Sequence, residues 1–435
     1  MKCVFVFVTL CGIVCNPFMS TKCRLYILVL FLLQTLYAVS SETTSVVVGA
    51  SREELYLPLL VHSRVALLSN HTGVADGEHT LDRLIRLGIQ VTAVFSPEHG
   101  FRGTAGAGNH VGDSTDEKTG VPILSLYDGK RNYPSESAMQ QFDILVVDIQ
   151  DVGLRFYTYY ITMVRLMQIC AEYGKPVVIF DRPNPNGHYV DGPILDMRYK
   201  SGVGYLPIPV VHGMTLGELA LMVNGEHWLE PTGDSASWME CKLTIIPCQG
   251  YTHQTHYRLP IAPSPNLQTM LAVYLYPSTC YFEGTPVSLG RGTDKPFLQY
   301  GHPKMRYQWS KESRKSLAKN SKSLPLRPVR FTPRSCPAAP APPQQDRLCR
   351  GTDLSRITEE QAMNMGLDLR FLIDAYQQMQ IDNWFFSPFF EKLIGVDYVR
   401  KMIIQGKSAE EIRACWQQDV ERFKVQRRPY LLYPE

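Results

Sequence analysis

The sequence predicts an α/β fold: a Rossmann-like domain with a mostly parallel sheet, followed by a second, smaller α+β C-terminal domain. Two observations lead to this prediction. In the first half of the chain, short apolar runs alternate with segments of helical periodicity, and the runs lack the strict alternation of strands that face water. Strands are predicted at residues 65–68, 91–95, 123–126, 144–149, 177–180 and 208–211.

Helices are predicted between the strands at residues 79–87 and 159–173, where apolar residues recur at helical spacing. After Pro247 the chain becomes rich in Pro and Gly, and amphipathic helices return at residues 363–379 and 409–423. This change places the Rossmann-like catalytic domain at residues 46–235 and the domain that closes the cleft at residues 236–435. Because long loops inside compact domains are usually functional, the loops of the second domain are expected to wall a site.

The first forty residues differ from the rest and indicate a signal peptide, with Met19 as an alternative start. Lys22 and Arg24 precede an apolar run at residues 25–33, and small residues follow at 38–40. A membrane anchor is the alternative, but the apolar stretch is shorter than the ~20 residues that span a bilayer. The chain is therefore expected to be exported, with no stable membrane span after cleavage of the leader.

Composition and motifs exclude several functional classes. Lys and Arg (44) nearly balance Asp and Glu (41), so no nucleic-acid partner is expected. No GxGxxG follows the first strand, and Gly129-Lys130 runs into Arg131 rather than into the Ser or Thr of a phosphate-binding loop. No cofactor is therefore expected. Seven cysteines lie beyond the leader without close-spaced pairs, and two of them, Cys336 and Cys349, are either bridged or free thiols.

Polar side chains follow the ends of five predicted strands. Because the carboxyl ends of parallel strands meet at the edge where ligands bind in open α/β sheets, these groups are expected to line one cleft. Arg155 and Tyr157 follow closely and add a cation and an aromatic face, which suits a sugar ligand. The strand-end residues are Asn70, His71, Glu98, His99, Asp148, Gln150, Asp151, Asp181, Arg182, Asn184 and His212.

Cleavage of a glycoside needs an acid that protonates the leaving oxygen and a second group that attacks or stabilises the anomeric carbon. Glu98 is the candidate acid, because a carboxyl group in a partly desolvated cleft has a raised pKa. A metal site is the alternative chemistry, formed by His99, Asp148 and His212, although their dispersed spacing is a weak signal. The second catalytic group stays open among Asp148, Asp151, Asp181 and Glu283.

Six ordered motifs resemble one bacterial family. They are SPEHGFRG (96–103), DIQDVGLRFYTY (148–159), DRPNPNG (181–187), HGMTLGELA (212–220), PSPNLQT (263–269) and FEGTPVSLGRGT (282–293). Together they are similar to the exo-β-N-acetylmuramidases of the NamZ type, a family long known only as a domain of unknown function. The resemblance runs from about residue 45 to near the end of the chain.

The resemblance implies release of N-acetylmuramic acid from the non-reducing end of peptidoglycan fragments and muropeptides, in cell-wall turnover and recycling. Glu98 is the implied acid with His99 beside it, and Asp148 completes the predicted catalytic set. Because the lactyl group of muramic acid is a carboxylate, an arginine clamp is expected from Arg102, Arg155 or Arg291. The predicted substrate-binding residues are Asn70, Arg102, Gln150, Asp151, Arg155, Tyr157, Asp181, Arg182, Asn184, His212, Glu283, Arg291 and Thr293.

The chain departs from the family pattern in two places. Pro286 and Leu289 stand where many relatives carry an Asn and a carboxylate, and the difference is interpreted as loop variation. The proline-rich insert at residues 337–347 is expected to decorate the surface.

Two alternative functions remain, a non-catalytic muropeptide-binding protein and a metal-dependent hydrolase. The periplasm is the expected compartment, in preference to the medium, because small muropeptides accumulate there during wall recycling.

Overall fold

A seven-stranded sheet is the centre of the fold, and six of its strands run parallel. The computed structural model describes residues 46–97, 101, 113–126, 133–230, 238–305, 324–379 and 384–435, so the predicted leader lies outside the described residues. Only β5 pairs in the antiparallel direction, with β6. In spatial order the strands are β5 (Ser114–Thr115), β6 (Pro122–Ser125), β4 (Gln90–Ser96), β1 (Arg64–Ser69), β7 (Ile144–Asp148), β8 (Val177–Phe180) and β9 (Leu243–Ile246).

The central strands are apolar because both faces of the sheet are covered. Along β1, Leu67 packs into one hydrophobic cluster and its neighbour Leu68 into another, on opposite faces of the sheet. Ser69 at the end of β1 pairs in register with Asp148 at the end of β7. The residues that follow these strands therefore leave the sheet at one edge, its carboxyl edge. A two-stranded hairpin, β2 (Val74–Ala75) and β3 (Glu78–His79), follows β1 there.

A smaller α+β region completes the fold, as predicted. Its antiparallel sheet has the order β10 (Gln299–His302), β12 (Cys349–Asp353) and β11 (Arg327–Phe331). The helices of the whole described chain are α1 (Glu53–Leu60), α2 (Thr80–Arg86), α3 (Glu136–Met139), α4 (Tyr159–Glu172), α5 (Leu216–Gly225), α6 (Met270–Thr279), α7 (Glu359–Met365), α8 (Arg370–Met379), α9 (Phe389–Ile394), α10 (Tyr398–Ile404), α11 (Ala409–Ala414) and α12 (Gln417–Arg427). Within the described ranges, no helix has both the length and the apolar character needed to cross a bilayer.

The strand prediction at residues 208–211 was wrong, and β9 was missed. Val211 is buried and makes only isolated bridges, to Leu154 and Asp191. An apolar run can fill a core without joining a sheet, so periodicity alone does not separate the two cases. β9 is a partly exposed edge strand with a weak apolar signal, and it lies beyond the predicted domain boundary at residue 235, which stays a prediction.

Two helices predicted as continuous are each divided. The segment 363–379 breaks between α7 and α8 at Gly366, which has a φ of +64° that side-chained residues rarely adopt. The segment 409–423 breaks between α11 and α12. Cys336 and Cys349 are both free thiols, so the bridged alternative is not the one observed.

Candidate functional site

Two cavities share the Glu283–Arg291 ion pair. The aromatic cavity, of about 180 Å³, is lined mainly by aromatic rings and by the polar side chains of Ser264 and Asn266. The proline cavity, of about 350 Å³, is lined by Val287, Leu289 and residues 338–343. Cavities of this kind, with apolar walls and a few charged groups, are the usual form of a small-ligand site.

The shared ion pair is partly buried. Arg291 Nε and Nη2 donate to the same oxygen of Glu283, Oε1, at 2.9 and 2.5 Å. The Glu283 side chain is 25% exposed and that of Arg291 is 19% exposed, so both can still meet a ligand. The guanidinium also lies over the ring of Phe297, with 5.0 Å between its central carbon and the ring centroid. The pair therefore offers charged groups held in a fixed orientation.

Two glycines fix the backbone on either side of Arg291. Gly290 and Gly292 have φ values of +76° and +77°, in the left-handed region that favours glycine. A Cβ on Gly292 would lie 2.3 Å from the carbonyl oxygen of Arg334, so the backbones approach closely there. Thr293 closes the turn by donating to the carbonyl of Gly290 at 2.6 Å. Thr293, predicted to bind substrate, therefore shapes the loop that presents Arg291.

Part of the aromatic wall comes from the loop between β7 and α4, on the carboxyl side of the sheet. Tyr157 lines the aromatic cavity, and its hydroxyl donates to the carbonyl of Pro263 at 2.7 Å. Burial raises the pKa of Tyr157 well above its ordinary value, so it stays neutral. His71, which follows β1, donates from Nε2 to the neighbouring carbonyl of Ala262 at 3.0 Å. The segment around residues 262–266 is thus tied to two strand ends.

Asp148 does not line either cavity, although sequence analysis assigned it to catalysis. It is wholly buried, and its carboxylate accepts from Arg182 Nε at 2.5 Å and Nη2 at 2.9 Å. The hydroxyl of Thr80 donates to the same carboxylate. Arg182 is itself engaged by Asp148 and by the carbonyl of Val74. Among the described residues the two therefore form a buried bidentate pair away from both cavities, and the roles predicted for them in catalysis and substrate binding stay predictions.

Asp181 also points into the protein and not into a cavity. Its carboxylate accepts from Tyr433 at 2.6 Å, from Thr215 at 2.7 Å and from the amide of Gly217 at 2.9 Å. Burial raises the pKa of Asp181 to about 6. The predicted substrate-binding residue therefore fastens the C-terminal segment and the start of α5 to the end of β8.

Asn70, Gln150 and Asp151 lie together at the carboxyl edge, as predicted, but they are buried. Thr72 links them, since its hydroxyl donates to Asn70 Oδ1 at 2.6 Å and accepts from the amide of Gln150 at 3.0 Å. Each side chain keeps one buried polar atom that has no hydrogen-bond partner among the described residues: Asn70 Nδ2, Gln150 Oε1 and Asp151 Oδ2. Burial raises the pKa of Asp151 to about 7. Unpartnered polar atoms of this kind call for a ligand or water.

Arg155, Asn184 and His212 serve the packing of loops. Arg155 is fully buried and donates to four backbone carbonyls, among them those of Pro193 at 2.6 Å and Ile394 at 2.7 Å. A substrate carboxylate would reach it only if those bonds broke. Asn184 binds the backbone at residues 186 and 214. Burial, with Arg427 nearby, lowers the pKa of His212 to about 3, so its ring is neutral.

Glu98, His99 and Arg102 lie outside the described residues. β4 ends at Ser96, two residues before Glu98. Of the two arginines of the predicted clamp that the structure describes, Arg291 lines a cavity and Arg155 does not. The metal-site alternative uses Asp148 as a ligand, but the Asp148 carboxylate is bound by Arg182. The described part of the chain contains no group of three or more His, Cys, Asp or Glu residues that could hold a metal ion.

Sequence reasoning missed several lining residues. Ser264 and Asn266 lie in the PSPNLQT motif, which was noted without a role for either. Phe389 begins α9 and had no signal in the sequence. Residues 337–347 were expected to decorate the surface, and residues 338–343 among them also line the proline cavity. The more general expectation, that long loops of this region wall a site, fits that finding.

Comparison with known proteins gives matches over nearly the whole described chain. The family model described as "Exo-beta-N-acetylmuramidase NamZ, N-terminal" matches residues 65–271, and the C-terminal model of the same description matches residues 274–433. The chain is 37% identical over 389 residues to the peptidoglycan β-N-acetylmuramidase NamZ of Bacillus subtilis (strain 168), covering 87% of this chain and 89% of that protein.

Two crystal structures of DUF1343 family proteins from Bacteroides fragilis have the same fold. One is 57% identical with a TM-score of 0.79, and the match covers 90% of this chain and all (100%) of that chain. The other is 26% identical with a TM-score of 0.73, and the match covers 89% of this chain and 99% of that chain.

Proposed function

This chain belongs to the exo-β-N-acetylmuramidase NamZ family, and we propose from that premise that it is a glycoside hydrolase that releases N-acetylmuramic acid from the non-reducing end of peptidoglycan fragments. One structural observation carries the proposal. Both halves of the family match line the same aromatic cavity, Tyr157 and Asn266 from the N-terminal half and Glu283 and Arg291 from the C-terminal half. A sugar ring can stack on the aromatic wall while its hydroxyl and acyl groups meet the polar side chains.

The proposed chemistry uses two carboxyl groups. Glu98 is the proposed acid, which protonates the leaving oxygen. Glu283 is the proposed second carboxylate, because it lines both cavities. Asp148, Asp151 and Asp181 line neither cavity, and all three are buried. Arg291 is the proposed partner of the carboxyl end of the muramic acid lactyl group.

The compartment is part of the proposal. Residues 1–40 carry the charge, the apolar run and the small residues of an export signal. Export would bring the enzyme to peptidoglycan fragments released during wall turnover, and we propose the periplasm as its location.

Release of chromophore from a para-nitrophenyl N-acetylmuramic acid glycoside tests the function. The mature chain should hydrolyse this glycoside and leave the matching N-acetylglucosamine glycoside intact, and Glu98→Gln should abolish turnover while the sugar still binds. Binding of the muramic sugar without turnover by the unmodified chain would instead identify a muropeptide-binding protein. Turnover that disappears with a chelator would identify a metal-dependent hydrolase.

A further inference from the structure

The proline cavity adjoins the proposed sugar site but differs from it in chemistry. Its walls are small and apolar, formed by Val287 and Leu289 on one side and by residues 338–343 on the other. Its charged lining residues are Glu283 and Arg291, which also line the aromatic cavity. A ligand that places a sugar ring in the aromatic cavity can therefore extend past the ion pair into a second, apolar space.

The wall at residues 338–343 is built into the site and is not a loose loop. Asn266, a lining residue of the aromatic cavity, donates from Nδ2 to the carbonyl of Ala338 at 2.8 Å. Cys336 and Ala339 exchange two backbone hydrogen bonds, and Gln344 donates from Nε2 to the carbonyl of Pro286 at 2.8 Å. The wall is thus bonded to the aromatic cavity on one side and to the Arg291 loop on the other.

The glycine beside Arg291 joins this wall to the ion pair. The amide of Arg334 donates to the carbonyl of Gly292 at 2.8 Å. A Cβ at Gly292 would lie 2.8 Å from Cγ of Pro342. The proline-rich wall therefore packs tightly against the loop that carries Arg291.

The ion pair has one donor and one acceptor to spare. Both hydrogen bonds within the pair use Glu283 Oε1, so the pair itself leaves Glu283 Oε2 and Arg291 Nη1 unused. A free carboxylate can accept from Nη1. An amide can do so as well, and its N–H can donate to Oε2. The pair is also neutral overall, so it does not require a charged ligand.

We propose that the proline cavity is the subsite for the lactyl arm at O3 of muramic acid, and that it accepts this arm both as the free acid and with an amide-linked alanine. This inference rests on the proposed function, since it assumes that the sugar ring occupies the aromatic cavity. The arm is the one chemical difference between N-acetylmuramic acid and N-acetylglucosamine. The insert at residues 337–347 thereby contributes to selectivity for muramic acid.

Ala341 allows a test that does not disturb the core, because it is exposed and yet lines the cavity. Ala341→Trp should fill the cavity. Leu348→Trp is the control, because it adds the same ring at an exposed residue (49% exposed) that does not line the cavity, and it should behave as the unmodified chain. Calorimetry would measure the binding of N-acetylmuramic acid, its L-alanine amide and N-acetylglucosamine to the unmodified chain and to both variants.

The expected result is at least a tenfold loss of affinity for both muramic ligands in Ala341→Trp alone. Equal affinities in all three proteins would overturn the subsite. Exclusion of the alanine amide by the unmodified chain, with the free acid still bound, would overturn the claim that the cavity accepts a substituted arm. Since the measurement is of binding, absent hydrolysis of the glycoside would count against the proposed function and leave this test intact.

Discussion

Polar side chains occupy two regions on the carboxyl side of the sheet, and their surroundings differ. At the strand ends, Asp148, Arg182 and Asp181 are buried and bonded to one another or to neighbouring segments. In the loop of residues 283–293, Glu283 and Arg291 are bonded to each other but still line two cavities. This comparison shows that a residue that directly follows a parallel strand lies at the carboxyl edge of the sheet. Whether its side chain meets ligand depends on the loops that cover that edge.

Loss of the strand-end ion pair is expected to have the largest effect. Asp148→Ala leaves the buried guanidinium of Arg182 uncompensated, which typically costs about 3–5 kcal/mol of unfolding free energy. Urea denaturation measures this cost. Glu283→Ala is the matched variant from the other region, and since the side chains of this pair are still 25% and 19% exposed, it should lose less, about 1–3 kcal/mol. A loss below about 1 kcal/mol in Asp148→Ala would show that the strand-end region is not structural.

The glycine beside Arg291 gives the next largest effect. Gly292→Ala places a Cβ against the backbone at Arg334 and is expected to cost about 2–3 kcal/mol while also raising KM. Gly77→Ala is the control, because Gly77 has the same φ of +77° with no atom within 4 Å of the added Cβ. That variant should lose only about 1 kcal/mol, the cost of the left-handed backbone alone. Equal losses measured by urea denaturation would contradict the close approach.

Arg291 and Arg155 are the two described arginines of the predicted clamp. Replacing each by lysine tests whether it binds substrate or stabilises the fold. Arg291→Lys should lower kcat/KM on the muramic glycoside about tenfold, equivalent to about 1.4 kcal/mol, because a lysine cannot reproduce the fixed geometry of the guanidinium. Arg155→Lys should lower stability, since one ammonium group cannot serve all four carbonyls that the guanidinium binds, and leave KM of the folded protein unchanged. Steady-state kinetics with parallel denaturation curves measure both. A raised KM in Arg155→Lys alone would reverse the assignment.

The smallest expected effect is a dependence of the free energy of unfolding on pH, compared over a single pH unit. Burial raises the pKa of Asp151 to about 7 in the folded protein, against about 4 when unfolded. Between these values the folded protein holds a proton that the unfolded chain has released, so the contribution of Asp151 to stability falls as pH rises, by up to about 1.4 kcal/mol per unit.

Asp151→Asn removes this titration while its side-chain oxygen can still accept from the amide of Gly153. The difference in unfolding free energy between the variant and the unmodified chain should therefore grow in favour of the variant from pH 4 to pH 7. Denaturation curves at fixed pH steps measure it, and parallel pH profiles for the two proteins would show that Asp151 does not titrate in this range.

Much of the fold could be predicted from the sequence, because apolar runs and helical spacing report burial directly. Five of the six parallel strands, β1, β4, β6, β7 and β8, were placed to within one residue at each end. The failures share one cause. Residues 208–211 are buried without joining a sheet, and β9 joins the sheet while partly exposed, so burial and pairing diverged in both cases. Gly366 likewise breaks a helix that the apolar spacing alone predicts to continue.

The candidate site was predicted less completely, since motifs identify residues but not the direction of their side chains. Glu283, Arg291 and Tyr157 were predicted and do line a cavity. Asp148, Asp181 and Arg155 carried equally strong signals, yet they hold the fold together. The proline-rich insert had no counterpart in the motifs, and its contact with Gly292 became visible only in three dimensions.

The sequence by itself determined the α/β class, the order of the central strands along the chain and the family to which the chain belongs. These depend on local composition and on ordered motifs, which are properties of the chain as written. Only the tertiary structure decided which charged residues are satisfied by protein neighbours and which still face a cavity. That division depends on contacts between segments far apart in sequence, such as Arg155 with Ile394 and Asp181 with Tyr433. The free energy of burying a charge depends on those contacts and not on the residue alone.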